Sequence, residues 1–121
     1  MAKAYLIDSK YRMITEVEYD SVSDINKHID CTTFCLGHAN HATGDTLYVD
    51  DNGLYRMPQY FFFYQPRGEI LAGNGFLVGR EVEGPEYKHG YTTLPPHLTL
   101  MQLKRLVLWV ESEPAKDTEL E

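Results

Sequence analysis

A chain of 121 residues, 43% hydrophobic and 24% charged, has room for one domain around one core and does not have the composition of a disordered or fibrous protein. Eleven basic against eighteen acidic side chains leave a net charge of −7, which repels a phosphate backbone and argues against nucleic acid as a partner. There is no apolar run of the roughly 18 residues a membrane span needs and no signal-peptide stretch, and two cysteines cannot make a disulfide framework, so a soluble cytoplasmic protein with reduced thiols is expected.

The first elements are short. Ala4 to Asp8 and Met13 to Tyr19 are β-rich runs around Ser9-Lys10-Tyr11-Arg12, and the second alternates with period two, so a hairpin of half-buried strands is expected. From Ser21 the spacing changes to that of a helix, with Val22, Ile25 and Ile29 three and four apart. Ser21 or Ser23 can cap it and Asp24 suits the positive end of its dipole, which predicts a helix over about Ser23 to Ile29. Cys31 to Gly37 returns to strand chemistry, and His38 to Gly44 reads as a loop.

Asp45 to Gly79 holds the densest apolar runs and is the stretch around which the chain is organised. Thr46 to Asp50 reads as a strand. Asn52-Gly53 and Asn74-Gly75, each flanked by β-favouring residues, are type I′ hairpin signals. Tyr60 to Tyr64 has no polar residue to face water, which predicts a strand covered on both faces or gripped by a partner. Pro66-Arg67-Gly68 turns the chain, and Ile70 to Val82 reads as two strands around Asn74-Gly75. Glu83 to Pro96, with its glycines and prolines, reads as a long surface loop. Thr99 with Gln102 makes a capping box for a helix over Leu100 to about Arg105, and Leu106 to Val110 reads as a buried strand. The expected architecture is one α+β domain over residues 1–111, a mainly antiparallel sheet of about six to eight strands with two short helices on one side, followed by an acidic flexible tail, 112–121.

The candidate chemistry is sparse. Cys31, Cys35, His38 and His41 carry the donor types zinc prefers within eleven residues. Were both cysteines in one strand, however, they would stand about 13 Å apart, too far for one ion; no metal and no cofactor is therefore expected. Asp50-Asp51-Asn52-Gly53 resembles a calcium loop only in its middle, since Tyr48 and Gln59 occupy the positions that need acids. Gly73, Gly75 and Gly79 are followed by strand-like residues rather than the helix a dinucleotide loop requires. The five histidines form no spacing that marks an acid/base site, so no catalytic residue is assigned. Arg67 and Arg80 adjoin glycine-bearing turns. Together with Gly73, Asn74 and Gly75 they are the candidate ligand-binding residues, because an arginine beside backbone N–H groups can hold a carboxylate or phosphate.

The order of Tyr5 to Asp8, Ile29 to Phe34, Leu47 to Leu54, Leu71 to Gly79 and a closing Leu-Thr-Leu-x-x-Leu helix resembles small proteins of unassigned function from bacteria, their phages and prophages. It is loosely similar to the uncharacterised DUF3846 group. The resemblance implies a phage-type accessory role, possible counter-defence included, and brings no catalytic residues. The reading for function is a non-catalytic binding module that engages a host protein or sequesters a small nucleotide-like ligand. A homo-oligomer through the aromatic run is expected as well. The alternatives are a small hydrolase or metal-dependent enzyme using the His38/His41 loop with Asp50 or Asp51, or a structural virion-associated protein.

Overall fold

A computed structural model describes residues 2–53, 60–83 and 91–110. The fold is α+β, with two helices and mainly antiparallel strands in three sheets. In chain order the elements are β1 (Ala2–Asp8), β2 (Met13–Tyr19), α1 (Val22–Ile29), β3 (Phe34–Ala39), β4 (Thr46–Asp50), β5 (Phe61–Tyr64), β6 (Glu69–Ala72), β7 (Gly75–Val78), β8 (Glu81–Glu83), β9 (Tyr91–Thr93), α2 (Leu100–Leu106) and β10 (Val107–Val110). The large sheet runs β2-β1-β7-β4-β3, the small one β10-β5-β6, and β8 pairs with β9 as a two-stranded ribbon.

Where local chemistry is unambiguous, the elements form where it places them. The β1–β2 hairpin pairs Asp8 with Met13 and Ala2 with Tyr19 across its whole length. The expected capping box of α2 is made, the Thr99 side chain accepting from the Gln102 amide; of the two candidate caps of α1 it is Ser21, whose side chain accepts from the Asp24 amide in a box of its own. α1 stops because Asp30 takes a left-handed conformation, φ 68°, and the amides of Asp30 and Cys31 both return to the Asn26 carbonyl. Cys31 therefore closes a helix instead of opening a strand. The strand expected from Cys31 begins at Phe34 and extends through His38 and Ala39, which were read as loop.

β7 lies at the centre of the large sheet and all four of its residues are buried. Phe76 and Val78 pack toward α1, with Ala4, Ile25 and Ile29. Leu77 faces the other way, with Ile7 and Leu47 against Phe62 and Tyr64 of the small sheet and Leu103 of α2. The protein is thus layered as α1, large sheet, then small sheet with α2. The helices lie on opposite faces of the large sheet, where a common side was expected.

Neither Asn-Gly pair closes a hairpin. Among the described residues positive φ occurs only at Arg12, Asp30, Gly44, Gly68 and Gly73, so neither pair has the two consecutive left-handed residues of a type I′ turn. β4 and β5 belong to different sheets, as do β6 and β7. Both pairs stand where the chain leaves one sheet for the other, and their glycines serve close approach. A Cβ on Gly53 would come within 2.8 Å of the Ala72 carbonyl oxygen, and one on Gly75 within 2.9 Å of Phe62 Cζ. The reversal inside the small sheet is the β5–β6 turn over Gln65 to Gly68, with Gly68 at φ 76°. Tyr91–Thr93, expected in the long loop, is a strand paired with β8, while 84–90 and the acidic tail lie outside the described residues.

Candidate functional site

The five residues singled out for a ligand fall in three places. Gly73, Asn74 and Gly75 link β6 to β7. The Gly73 amide donates to the Tyr60 carbonyl at 2.7 Å, its carbonyl accepts the Ser9 hydroxyl, and Asn74 Oδ1 accepts the Ser9 amide at 3.1 Å. This link latches the end of β1. Arg80 lies beyond the opposite end of β7 and donates to the Ala42 carbonyl at 3.2 Å, its stem packed where Gly44 leaves room. Arg67 lies in the β5–β6 turn, at the other end of β6 from Gly73. Its Nη1 donates to the Gly37 carbonyl and its Nε pairs with Glu69 at 2.8 Å. Both arginines strap the β3–β4 hairpin, and the five are not gathered around one ligand-sized space.

The thiols and imidazoles are likewise separated. Cys31 packs on the α1 side of the large sheet and Cys35 on the side of the small sheet, so one ion cannot reach both. Burial, then a hydrogen bond to Asp51 and the charges of Asp51 and Asp50, push the Cys35 thiol up, with Arg67 pulling the other way. It is a protonated group at neutral pH, not a ready nucleophile. His38 lies edge-on to the Tyr64 ring, with centroids 5.6 Å apart, and His41 is exposed in the β3–β4 turn. Asp50 pairs with Phe34 at the far end of the same ladder, whereas His38 pairs with Leu47. Three residues of strand, roughly 10 Å, keep that histidine and carboxylate off a common reacting atom. Burial, helped by Asp45, pushes the Tyr64 hydroxyl up to about 12.

Two features were not assembled from the sequence. The first is the outer face of the small sheet. Phe62 and Tyr64 are buried against the large sheet, so alternation turns Phe61 and Phe63 outward. In register beside Phe63 stand Ile70 and Leu108, and beside Phe61 stand Ala72 and Val110. All six outward side chains are apolar. Ile70 is 55% and Leu108 60% exposed, while Ala72 is buried at the end approached by Gly53. The aromatic run was the legible part of this face; Ile70 and Leu108 join it only through sheet pairing.

The second is a cavity of about 330 Å³ at the open edge of the large sheet, where α2 packs beside β2 and leads into β10. Arg12, Met13, Ile14, Lys104 and Trp109 line it. Arg12 is itself the left-handed residue, φ 55°, that closes the β1–β2 turn. Nothing local in the sequence announces this group, because its members are drawn from residues 12–14 and 104–109.

No helix among the described residues is long and apolar enough to cross a membrane, and none of their histidines, cysteines and acids cluster by three or more as a metal site would need. Comparison with protein families, curated proteins and solved structures finds no match.

Proposed function

We propose that this protein is a non-catalytic binding module whose working surface is the outer face of the small sheet, and that its partner is a protein presenting the apolar stripe of an amphipathic helix. The observation that carries the reading is the outward row of six apolar residues, with Ile70 and Leu108 more than half exposed. On the opposite side of the molecule the chain covers the large sheet with a helix of its own, α1, through Ile25 and Ile29. Among the described residues nothing comparable lies over Ile70 and Leu108.

Size favours a helix over a second copy as the occupant. Three strands about 4.8 Å apart and four residues long span roughly 200 Å² at most, with the Ala72 end of that face already covered where Gly53 approaches. That matches two or three turns of a helix about 10 Å wide. It is about a quarter of the roughly 800 Å² per partner that a stable protein–protein interface buries. The resemblance to phage-associated proteins supports a host protein as the source of the helix, in an accessory role.

The test places a photo-crosslinking residue at Leu108 in one protein and, as control, at exposed Tyr11 in another. The expected result is a discrete crosslink from position 108 to an amphipathic segment, a synthetic peptide of that segment binding the purified protein, and loss of binding in Ile70→Asp. Because Ile70 is exposed, this variant should fold. A crosslink to another copy of the chain, or none above the control, would overturn the proposal.

A further inference from the structure

We infer that Asn52-Gly53 is a site of spontaneous modification, at which the chain converts its own asparagine to aspartate and isoaspartate and so loosens the crossover between its sheets, while the fold shields Asn74-Gly75. The reaction itself is local. The Gly53 nitrogen gives up its proton to the departing amide and bonds to Cγ of Asn52, so that ammonia leaves and a five-membered succinimide closes. Water then opens the ring at either carbonyl. Breaking the bond to Cγ leaves aspartate; breaking the bond to the main-chain carbonyl leaves isoaspartate, with the chain running through the former side chain. Glycine in the second place permits the attack, because no Cβ obstructs the approach of its nitrogen. Both pairs meet this requirement in sequence, and only the structure tells them apart.

Asn74 is held in place. Its Oδ1 accepts the Ser9 amide at 3.1 Å and lies 3.5 Å from the Ser9 hydroxyl. Gly75 is buried and paired on both sides, with Ile7 of β1 and Val49 of β4. Its nitrogen reaches the neighbouring Cγ only when the first residue of β7 leaves the centre of the sheet, and core strands open at free energies near that of global unfolding. Asn52 stands instead on an exposed turn beyond the end of β4, its amide donating to Asp50 Oδ1 at 2.9 Å in a local Asx turn. No strand has to open for its side chain to move.

The product matters because of what Gly53 touches. A Cβ there would come within 2.8 Å of the Ala72 carbonyl oxygen, so the crossover is closely packed. Isoaspartate lengthens the main chain by one methylene at this point and must displace that contact. Aspartate leaves the main chain unchanged and only adds a carboxylate after Asp50 and Asp51. None of this rests on the partner proposed for the small sheet.

The test ages the full chain in mildly alkaline buffer, folded and in urea, and maps its peptides by mass spectrometry with chromatographic separation of the isoaspartyl form. In the folded protein Asn52 should convert at least about tenfold faster than Asn74, and in urea the two rates should come within about twofold. Hydroxylamine, which cleaves succinimides, should cut the folded protein after Asn52 and leave Asn74-Gly75 intact. The deamidated fraction should unfold at lower urea than Asn52→Asp, which carries the added charge on an unaltered main chain. Equal conversion of the two pairs in the fold, or an Asn52 that reacts in urea but not in the fold, would overturn the inference. A deamidated fraction containing isoaspartate yet as stable as Asn52→Asp would overturn the loosening of the crossover.

Discussion

Gly75→Ala separates the two meanings an Asn-Gly pair can have. If the glycine served a turn, alanine would cost backbone strain; here Gly75 opens β7 with no positive φ, and the cost must come from packing. The added Cβ would point between the sheets, 2.9 Å from Phe62 Cζ, 3.1 Å from Leu47 Cδ1 and 3.4 Å from Ile7 Cδ1. Phe62 and Leu47 are both wholly buried, so neither can swing away into solvent. Overpacking of this kind costs about 1–3 kcal/mol. The lower backbone entropy of the unfolded alanine chain returns roughly 0.4–1 kcal/mol. A net loss of about 1–2 kcal/mol, or roughly 3–8 °C in Tm, should appear in urea and thermal unfolding. Shortening the facing ring tests the cause: Gly75→Ala combined with Phe62→Leu should cost about 1 kcal/mol less than the sum of the two changes. Gly73→Ala makes the contrast, because Gly73 has φ 82° and its nearest neighbour is Asp50 Cβ at 3.6 Å. Its cost is left-handed strain of roughly 1–2 kcal/mol, additive with Phe62→Leu. A Gly75→Ala protein as stable as the parent, or strict additivity with Phe62→Leu, would refute the packing account.

Two further outcomes follow from buried polar groups. Tyr64 ionises near pH 10 in the unfolded chain and only at about 12 in the fold, so the native state holds the extra proton across that window. Stability should be fully present below about pH 10 and fall by about 2–3 kcal/mol as pH rises toward 12. Urea midpoints across that range should show the decline, and Tyr64→Phe should flatten most of it; an unchanged slope would assign the effect to Tyr19, Tyr48 or Tyr5, which burial also raises. Asp45, 4% exposed, accepts the His97 amide at 2.7 Å and the Leu98 amide at 3.0 Å, and so ties the approach to α2 onto the β3–β4 turn. Asp45→Asn turns an NH₂ group toward an amide donor and should cost about 1–3 kcal/mol by urea unfolding; a neutral result would show that the clamp holds nothing.

The elements legible from the sequence are those decided within a few residues. The capping box of Thr99 and Gln102, the alternation in Met13 to Tyr19, and Thr46 to Asp50 needed no knowledge of the rest of the chain, and each formed in place, while the choice between Ser21 and Ser23 as the cap of α1 stayed open until the structure settled it on Ser21. The Asn-Gly pairs were misread because their strongest local signal coincides with a non-local demand. Glycine tolerates positive φ, and it also lets two sheets meet, which leaves the same letter for two different causes. Spacing in the chain carries no information on which use applies until one knows that Phe62 stands opposite.

Sites assembled across sheets are harder still to read. Arg67 and Arg80 were singled out for lying next to glycine-bearing turns, yet each donates to a carbonyl of the β3–β4 hairpin, at Gly37 and Ala42, far from its own turn in the sequence. Arg12 and Lys104 sit beside no such motif and line a cavity with an indole. Ile70 and Leu108 read as ordinary core residues until their registers with Phe63 put them on the same outward face. In this fold the chain closes its local motifs upon itself, and the surfaces left over for other molecules come from residues that meet only when the two sheets and α2 are in place. A search for function by motif spacing finds the first kind and passes over the second.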